Sequence, residues 1–246
     1  MDSVNTMADC VCPGRPPASL RFTHVYYDSE DWFAFAMAWI SLVPQIICVI
    51  YVTLIFSRRE IETVLMLIGQ LASEAFNHLL KKYFREERPR YNEQDNRDNL
   101  GYGLPSAHSQ FMAFHATYLC LWMFLRAHQF SQRKRYLRAI SLACLTSTVI
   151  FSRVYLYYHT WKQVIVGFSI GVVTGTLWFA GIVALRELGV IELILNLSVV
   201  RAMYFKDTTY LRSFVRDEFV AWTRNRVTYD TYYSNRVFYV KERKLR

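Results

Sequence analysis

The sequence predicts an all-α membrane protein: a polytopic membrane helix bundle with five to six transmembrane or half-spanning helices. Two segments, 32–57 and 163–185, contain no charged residue, and each exceeds the roughly 20 residues that cross the hydrocarbon core of a bilayer. Of the 246 residues, 53% are hydrophobic, whereas only 9 are Gly and 6 are Pro. Because lipid offers the backbone no hydrogen bonds, segments of this kind must cross as helices.

The apolar segments define the predicted helices in chain order. The predicted spans are 32–56, 63–80 (continuing as an amphipathic helix toward Arg88), 106–125, about 137–153, and 163–185. A sixth apolar stretch, 190–200, holds Glu192 and covers only eleven residues. We therefore expect an interfacial or half-spanning element there.

The chain shows no internal repeat and no low-complexity tract, so we expect one domain over residues 1–246. Residues 1–31 form a polar leader without the hydrophobic region of a signal peptide. Residues 201–246 are polar, basic and aromatic, and this composition predicts a tail that lies on the membrane surface.

Five crossings place the leader and the loops 81–104 and 153–162 on one face of the membrane. The other face carries more Lys and Arg, eleven of them after residue 200. The positive-inside rule makes that second face cytosolic, together with the C-terminus, and makes the first face lumenal or extracellular. The net charge of +9 follows this topology, because basic residues cluster at span ends and in the tail, and we expect no nucleic-acid partner.

Three polar clusters are predicted on the first face. In "KKYFREERPR", Lys81 and Arg88 are seven residues apart, which predicts one shared helix face and a separation of about 10 Å. Pro89 is expected to end that helix.

In "GYGLPSAHSQF", Pro105 and Ser106 open the third span. The amides of Ser106 and Ala107 would then be unpaired donors at a helix start, where anions bind, and His108 follows in the same turn. In "SRVYLYYHTWKQV", Arg153 ends the fourth span and His159 precedes the fifth.

Cations, a helix N-terminus and two histidines on one face suit phosphoryl transfer. Guanidinium and ammonium groups neutralise phosphate oxygens, one imidazole can attack phosphorus, and the other can protonate the leaving oxygen. No carboxylate cluster accompanies His108 and His159, and the neighbouring cations would repel a metal ion. We therefore expect a site without metal or other cofactor.

The series Lys81-x6-Arg88-Pro89, Pro105-Ser106-Ala107-His108 and Ser152-Arg153-x5-His159 resembles the three-part signature of the type 2 phosphatidic acid phosphatase superfamily. The contexts "YGLPSAHSQFM" and "SRVYLYYHTWKQV" and the leader "FTHVYY" are similar to the dolichyldiphosphatase branch of that superfamily. The resemblance implies that His159 is the nucleophile and forms a phosphohistidine, and that His108 is the general acid. It implies phosphate binding by the residues Lys81, Arg88 and Arg153, with assistance from Ser106 and the Ala107 amide.

The resemblance also implies a substrate and a compartment. The substrate would be the polyisoprenoid lipid dolichyl diphosphate, hydrolysed on the lumenal side of the endoplasmic reticulum membrane to recycle the lipid carrier of protein N-glycosylation. The terminal "RKLR", similar to a dibasic retrieval signal, supports that compartment. Nothing in the sequence indicates an obligate protein partner.

Two positions leave alternatives open. The superfamily has Asp four residues after the nucleophilic His, where this chain has Gln163; an amide oxygen can orient the ring but supplies no charge. The alternatives are therefore a broader lipid or isoprenoid phosphatase, or a catalytically silent lipid-binding scaffold. Glu74, seven residues before Lys81, is expected either to steady a cation of the site or to bond to another helix.

Overall fold

The structure is a computed structural model that describes residues 18–20, 25–28, 30–89, 101–126, 130–207 and 214–243. Most of the predicted leader 1–31 and the last three residues of the "RKLR" sequence lie outside the described residues. The chain forms two compact units, Met1–Asp207 and Thr208–Arg246.

Among its described residues, the first unit contains a short antiparallel hairpin and eight helices. The hairpin pairs β1 (Ala18–Leu20) with β2 (Val25–Tyr27). The helices are α1 (Trp32–Ile40), α2 (Val43–Arg58), α3 (Ile61–Phe84), α4 (Ala107–Leu125), α5 (Gln132–Tyr155), α6 (Trp161–Glu187), α7 (Val190–Asn196) and α8 (Ser198–Ala202). The described part of the second unit forms the helix α9 (Phe214–Arg243). The predicted all-α class is confirmed, and the hairpin within the leader was not predicted.

All five predicted spans are helical. In the described part of the chain, three segments are long and apolar enough to cross a membrane, namely Trp32–Arg58, Gln132–Tyr155 and Trp161–Glu187. Helix α4 is less apolar because it lies at the centre of the bundle, where it packs against α2, α3, α5 and α6. Helices α7 and α8 are too short to cross a bilayer.

The predicted first span consists of two helices that meet at Ser41 and Leu42. Pro44 stands in the first turn of α2 and has no amide hydrogen to continue the α1 hydrogen bonds. The Ser41 hydroxyl donates to the Ala38 carbonyl at 2.7 Å. This break leaves the end of α1 buried beside the N-terminus of α4.

Helices α4 and α6 pack closely along a row of glycines. Gly167, Gly171 and Gly175 of α6 face the α4 backbone: a Cβ at Gly167 would lie 2.5 Å from the Ser106 carbonyl oxygen, and one at Gly171 would overlap the carbonyl of Gln110. Small residues at four-residue spacing allow two helices in a membrane to approach closely. The row fixes the N-terminus of α4 against the N-terminus of α6.

A buried ionic cluster lies at the other end of the bundle. Arg186 near the end of α6 binds the carboxylates of Glu62 in α3 and Asp207 after α8. Tyr118 of α4 donates to Glu62 at 2.7 Å. Four segments are thereby joined at the end opposite to the three polar clusters.

Candidate active site

The candidate site lies where four helices end. Helix α3 ends at Phe84, α4 begins at Ala107, α5 ends at Tyr155 and α6 begins at Trp161, and alternating helix directions bring these termini to one end of the bundle. The three predicted clusters meet there, because His159 lies within electrostatic range of Arg153, Arg88 and Lys81, and His108 lies near Arg153, His159 and Lys81.

A tight turn after α5 holds His159 beside Arg153. The Arg153 carbonyl accepts hydrogen bonds from the amides of Tyr158 (3.0 Å) and His159 (3.2 Å), and Tyr157 adopts a left-handed conformation with φ of 55°. The Arg153 guanidinium lies 4.0 Å from the centre of the Tyr158 ring. The five residues between Arg153 and His159 are therefore the length of one closed turn.

The leader holds this turn from outside. The Tyr26 amide donates to the Tyr158 hydroxyl at 2.8 Å, and the Tyr155 hydroxyl donates to Asp31 at 2.6 Å. The other Asp31 oxygen caps α1 through the Phe33 amide. The tyrosines near His159 thus have structural roles, and they place the hairpin over the site.

The Gln163 amide fixes the orientation of the His159 ring. Its Oε1 lies 3.2 Å from His159 Nδ1, while its Nε2 donates to the Glu86 carboxylate (3.1 Å) and to the Glu87 carbonyl (2.8 Å). A carboxylate and a carbonyl only accept hydrogen bonds, so Nε2 must face them and Oε1 must face the ring. Nδ1 therefore carries the proton, and the lone pair is on Nε2 of His159.

Gln163 also joins α6 to α4, and this contact corrects the prediction that both the Ser106 and Ala107 amides are unpaired. The Ser106 amide, expected to be unpaired, donates to the Gln163 carbonyl at 3.1 Å. Ser106 is fully buried and is the residue before the first turn of α4. The Ala107 amide has no hydrogen-bond partner among the described residues, so the predicted anion donor at this helix start is reduced to one of the two amides.

His108 lies beside the break between α1 and α2. Its half-buried side chain is close to the backbone of Ser41, the residue that ends α1. This proximity was not predicted, because the apolar composition of residues 32–56 indicates one continuous first span.

The prediction that Lys81 and Arg88 share one helix face is wrong. Helix α3 ends at Phe84, and Arg85 adopts a left-handed conformation with φ of 50°, so Arg88 lies beyond the helix and Pro89 does not end it. Arg88 instead donates through Nε to the Gly101 carbonyl at 3.1 Å. Both cations still act on His159, and they approach it from a helix end and from a loop.

Glu74 lies 3.6 Å from His78 on the same helix. No hydrogen bond from Glu74 to another helix is seen in the described residues. Its carboxylate lies within electrostatic range of Lys81, and each of the two predicted roles of Glu74 stays a prediction.

Burial and the nearby cations hold the pKa of His159 well below its ordinary value. Burial is the larger cause, followed by the charges of Arg153 and Arg88, and the hydrogen bond that His159 donates to Gln163 opposes them. The ring is only 3% exposed. His159 is therefore neutral at neutral pH, as a nucleophile must be.

Sequence reasoning missed Glu86. Its carboxylate accepts from Gln163 and also from Lys162 Nζ at 2.7 Å, and its backbone carbonyl accepts from the Gly103 amide at 2.7 Å. The acidic pair in "REERP" could have indicated a carboxylate near the site. The prediction of a continuous helix toward Arg88 gave that pair no role. In the described residues, no group of three or more His, Cys, Asp or Glu could hold a metal ion; that the reaction needs no metal stays a prediction.

Two histidines and three cations thus lie together at one end of a membrane helix bundle. The sequence profile of the PAP2 superfamily matches residues 62–187, which include all three clusters. The chain belongs to the PAP2 superfamily.

The named relatives agree with this placement. The chain is 37% identical to a dolichyldiphosphatase of Saccharomyces cerevisiae, over 83% of this chain and 87% of the relative. It is 37% identical to dolichyldiphosphatase 1 of Homo sapiens, over 66% of this chain and 72% of the relative. The crystal structure of a PAP2-type phosphatidylglycerolphosphate phosphatase from Bacillus subtilis shares the fold, with a TM-score of 0.50 and 23% identity over 60% of this chain and 75% of that one.

Proposed function

We propose that this chain hydrolyses dolichyl diphosphate to dolichyl monophosphate and phosphate. The observation that carries the proposal is the His159–Gln163 hydrogen bond at 3.2 Å, because it leaves a nucleophilic lone pair on Nε2 beside Arg153. The dolichyldiphosphatase relatives support the choice of substrate.

The reaction proceeds in two displacements. Nε2 of His159 forms a bond to the terminal phosphorus while the bond from phosphorus to the bridging oxygen breaks. His108 donates a proton to that oxygen, and dolichyl monophosphate leaves. Water, deprotonated by His108, then attacks the phosphohistidine and releases phosphate.

The cations of the site bind the transferred phosphoryl group. Arg153, Arg88 and Lys81 neutralise its equatorial oxygens, and the Ala107 amide donates to one of them. Arg153 is 5% exposed and stacked on Tyr158, so its guanidinium is already ordered before the substrate arrives.

The site faces the lumen of the endoplasmic reticulum in this proposal, where it returns the lipid carrier of N-glycosylation to its monophosphate form. The charge asymmetry of the loops supports this orientation. In this proposal the lipid chain stays in the membrane while the diphosphate reaches the lumenal helix ends.

A parallel assay tests the substrate. Purified protein is given dolichyl diphosphate and phosphatidate in separate reactions containing EDTA, and released phosphate is measured. We expect hydrolysis of dolichyl diphosphate with a kcat/KM at least about tenfold above that for phosphatidate. Equal rates would indicate a broader lipid phosphatase, and no hydrolysis of either would indicate a silent scaffold.

The nucleophile is tested by His159→Ala. Because the new residue cannot bond to phosphorus, the variant should lose nearly all activity, by about 10⁴-fold or more, while it keeps its thermal unfolding temperature in detergent. The wild type, quenched during turnover, should carry phosphate on residue 159. Wild-type hydrolysis by the variant would contradict the assignment.

A further inference from the structure

Glu86 occupies a defined position behind Gln163. It lies in the turn after α3, and its two carboxylate oxygens have different partners: Oε1 accepts from Gln163 Nε2 at 3.1 Å, and Oε2 accepts from Lys162 Nζ at 2.7 Å. The side chain is 29% exposed, whereas that of Lys162 is 69% exposed. One carboxylate oxygen thus points into the site and the other points to solvent.

The backbone around Glu86 is built to hold it there. The Glu86 carbonyl accepts from the Gly103 amide, and a Cβ at position 103 would lie 2.7 Å from Gln163 Nε2. A side chain at position 103 would therefore displace the Gln163 amide from its present position. The close approach of these two segments keeps Glu86 and Gln163 in hydrogen-bond contact.

We propose that Glu86 is a positioning residue that supplies, through the Gln163 amide, the negative charge that a carboxylate next to His159 would otherwise supply. This inference rests on the proposed function. In it, the unbroken chain Glu86–Gln163–His159 replaces a direct carboxylate–histidine pair.

The physical basis is polarisation along the chain of hydrogen bonds. A carboxylate that accepts from Nε2 draws charge toward Oε1, so Oε1 becomes a stronger acceptor for the Nδ1 proton. When Nε2 bonds to phosphorus, the ring becomes cationic and its Nδ1–H becomes a stronger donor. The proton stays on Nδ1, and Glu86 balances part of the new charge.

The other charged groups named around His159 are cations, so a nearby carboxylate would stabilise the positive charge that the ring gains during the reaction. Arg153 of α5, Lys81 of α3 and Arg88 of the following loop act on the ring, as does His108 of α4 when protonated. Lys162 of α6 adds a cation next to Glu86. Glu86 is connected to the ring by hydrogen bonds through Gln163, and Glu74 lies within electrostatic range of Lys81. The Lys162 ammonium is the main cause that holds the pKa of Glu86 below its ordinary value, so the carboxylate is ionised at neutral pH.

Two variants of one ion pair distinguish this role from a structural one. Both Glu86→Gln and Lys162→Gln break the Lys162–Glu86 pair, so a purely structural role predicts similar effects. A charge that acts on His159 predicts opposite ones. Glu86→Gln removes a negative charge and should lower the pKa of His159, whereas Lys162→Gln removes a positive charge and should raise it.

The measurements are kcat and the pH profile of kcat/KM on dolichyl diphosphate, together with NMR titration of the His159 ring in the substrate-free protein. We expect Glu86→Gln to lower kcat roughly tenfold, well short of the about 10⁴-fold loss when a directly bonded triad carboxylate is replaced, with KM little changed. The acid limb should move to lower pH by roughly half a unit. For Lys162→Gln, kcat should be retained and the acid limb should move to higher pH. Glu187→Gln, the same substitution on an exposed residue at the other end of α6, is the control and should change none of these quantities.

The outcomes separate this inference from the proposed function. A wild type that does not hydrolyse dolichyl diphosphate overturns the proposed function and, with it, the catalytic role of Glu86. An active wild type in which both variants move the acid limb and the ring titration in the same direction overturns only the role of Glu86. So does an unchanged kcat in Glu86→Gln.

Discussion

Gln163 connects His159 to Glu86 through a single amide, and this connection decides what the site can do. An amide directly behind the nucleophile stabilises the imidazolium less than a carboxylate does. The deficit matters less when the leaving group is a good one. Dolichyl monophosphate leaving from a diphosphate is far less basic than the alkoxide that leaves from a monoester, so a diphosphatase tolerates Gln163.

An isosteric exchange tests this reasoning. The double variant Glu86→Gln with Gln163→Glu places the carboxylate next to His159 and the amide behind it. Both side-chain lengths are preserved, and the hydrogen bond to the Glu87 carbonyl is lost. We expect kcat/KM to rise more for phosphatidate than for dolichyl diphosphate, by about tenfold in the ratio. The single variant Gln163→Glu, which puts two carboxylates in contact, is the comparison. An unchanged ratio in the double variant would contradict the proposal that Gln163 reflects the substrate.

The lowered pKa of His159 predicts the pH dependence of the reaction. The ring must be neutral to attack, so the acid limb of kcat/KM caused by His159 should lie below pH 6.5, about the ordinary value for histidine. An acid limb at or above that pH would show that burial and the charge of Arg153 do not lower the pKa of His159.

The same shift has a consequence for stability, and its sign follows from proton binding. Below about pH 6.5 the unfolded chain binds a proton at His159 that the folded chain does not bind, so the free energy of unfolding falls as pH decreases. The stability that the neutral His159 ring contributes should be fully present above that pH. Thermal unfolding in detergent at several pH values should show this trend, and His159→Gln should reduce it.

At the scale of helices, the glycine row of α6 brings the halves of the site together. Gly171→Ala would push Cβ into the Gln110 carbonyl and to 2.7 Å from the Ala113 Cβ. We expect the free energy of unfolding to fall by about 1–3 kcal/mol, the cost of overpacking, together with a loss of activity as Ser106 moves away from Gln163.

Gly181→Ala is the matched control, because a Cβ there would meet no atom within 4 Å. Alanine is the better helix former by about 1 kcal/mol, so this variant should be neutral or more stable. Both proteins can be compared by thermal unfolding in the same detergent. Equal unfolding temperatures would show that the α4–α6 contact is looser than the structure indicates.

The limits of the sequence prediction lie at helix ends rather than in helix centres. The five spans were predictable because the thickness of the bilayer sets the length of an apolar segment that crosses it. The end of α3 was missed because Arg85, rather than glycine, adopts the left-handed conformation. The break at Ser41 was missed because apolar composition continues through it, although Pro44 was a signal.

The residues of the candidate site were predictable, but the hydrogen bonds between them were not. Order and spacing identified the two histidines and the cations, because chemistry restricts their types. Hydrogen bonds from Ser106 to Gln163 and from Gln163 to Glu86 join residues 57 and 77 positions apart. Such contacts depend on helix packing and loop paths, which a local pattern does not contain.

At the scale of the whole molecule, the two ends of the bundle differ in charge chemistry. One end holds the cations that we propose bind phosphate, and the other holds Arg186 neutralised by Glu62 and Asp207. The basic residues that remain at the second end and after residue 200 predict a cytosolic position for it.

Protease protection in sealed microsomes measures this orientation. A tag after Arg246 should be digested without detergent, because the tail is predicted to be cytosolic. A tag at the N-terminus should be digested only after detergent is added, which makes it the internal control. A protected C-terminal tag would reverse the orientation and the side of the membrane on which the site acts.

The close contact between α4 and α6 also sets a constraint on biosynthesis. Gln110 leaves the ribosome 61 residues before Gly171, the residue that covers its carbonyl. At about 5–20 residues per second, the gap lasts roughly 3–12 s. During that interval the Gln110 side chain can already bond to Ser73 and Asn77 of the earlier helix α3, whereas the α4 backbone face that the glycine row covers has no α6 to pack against. The site can therefore be completed only after α6 has entered the membrane.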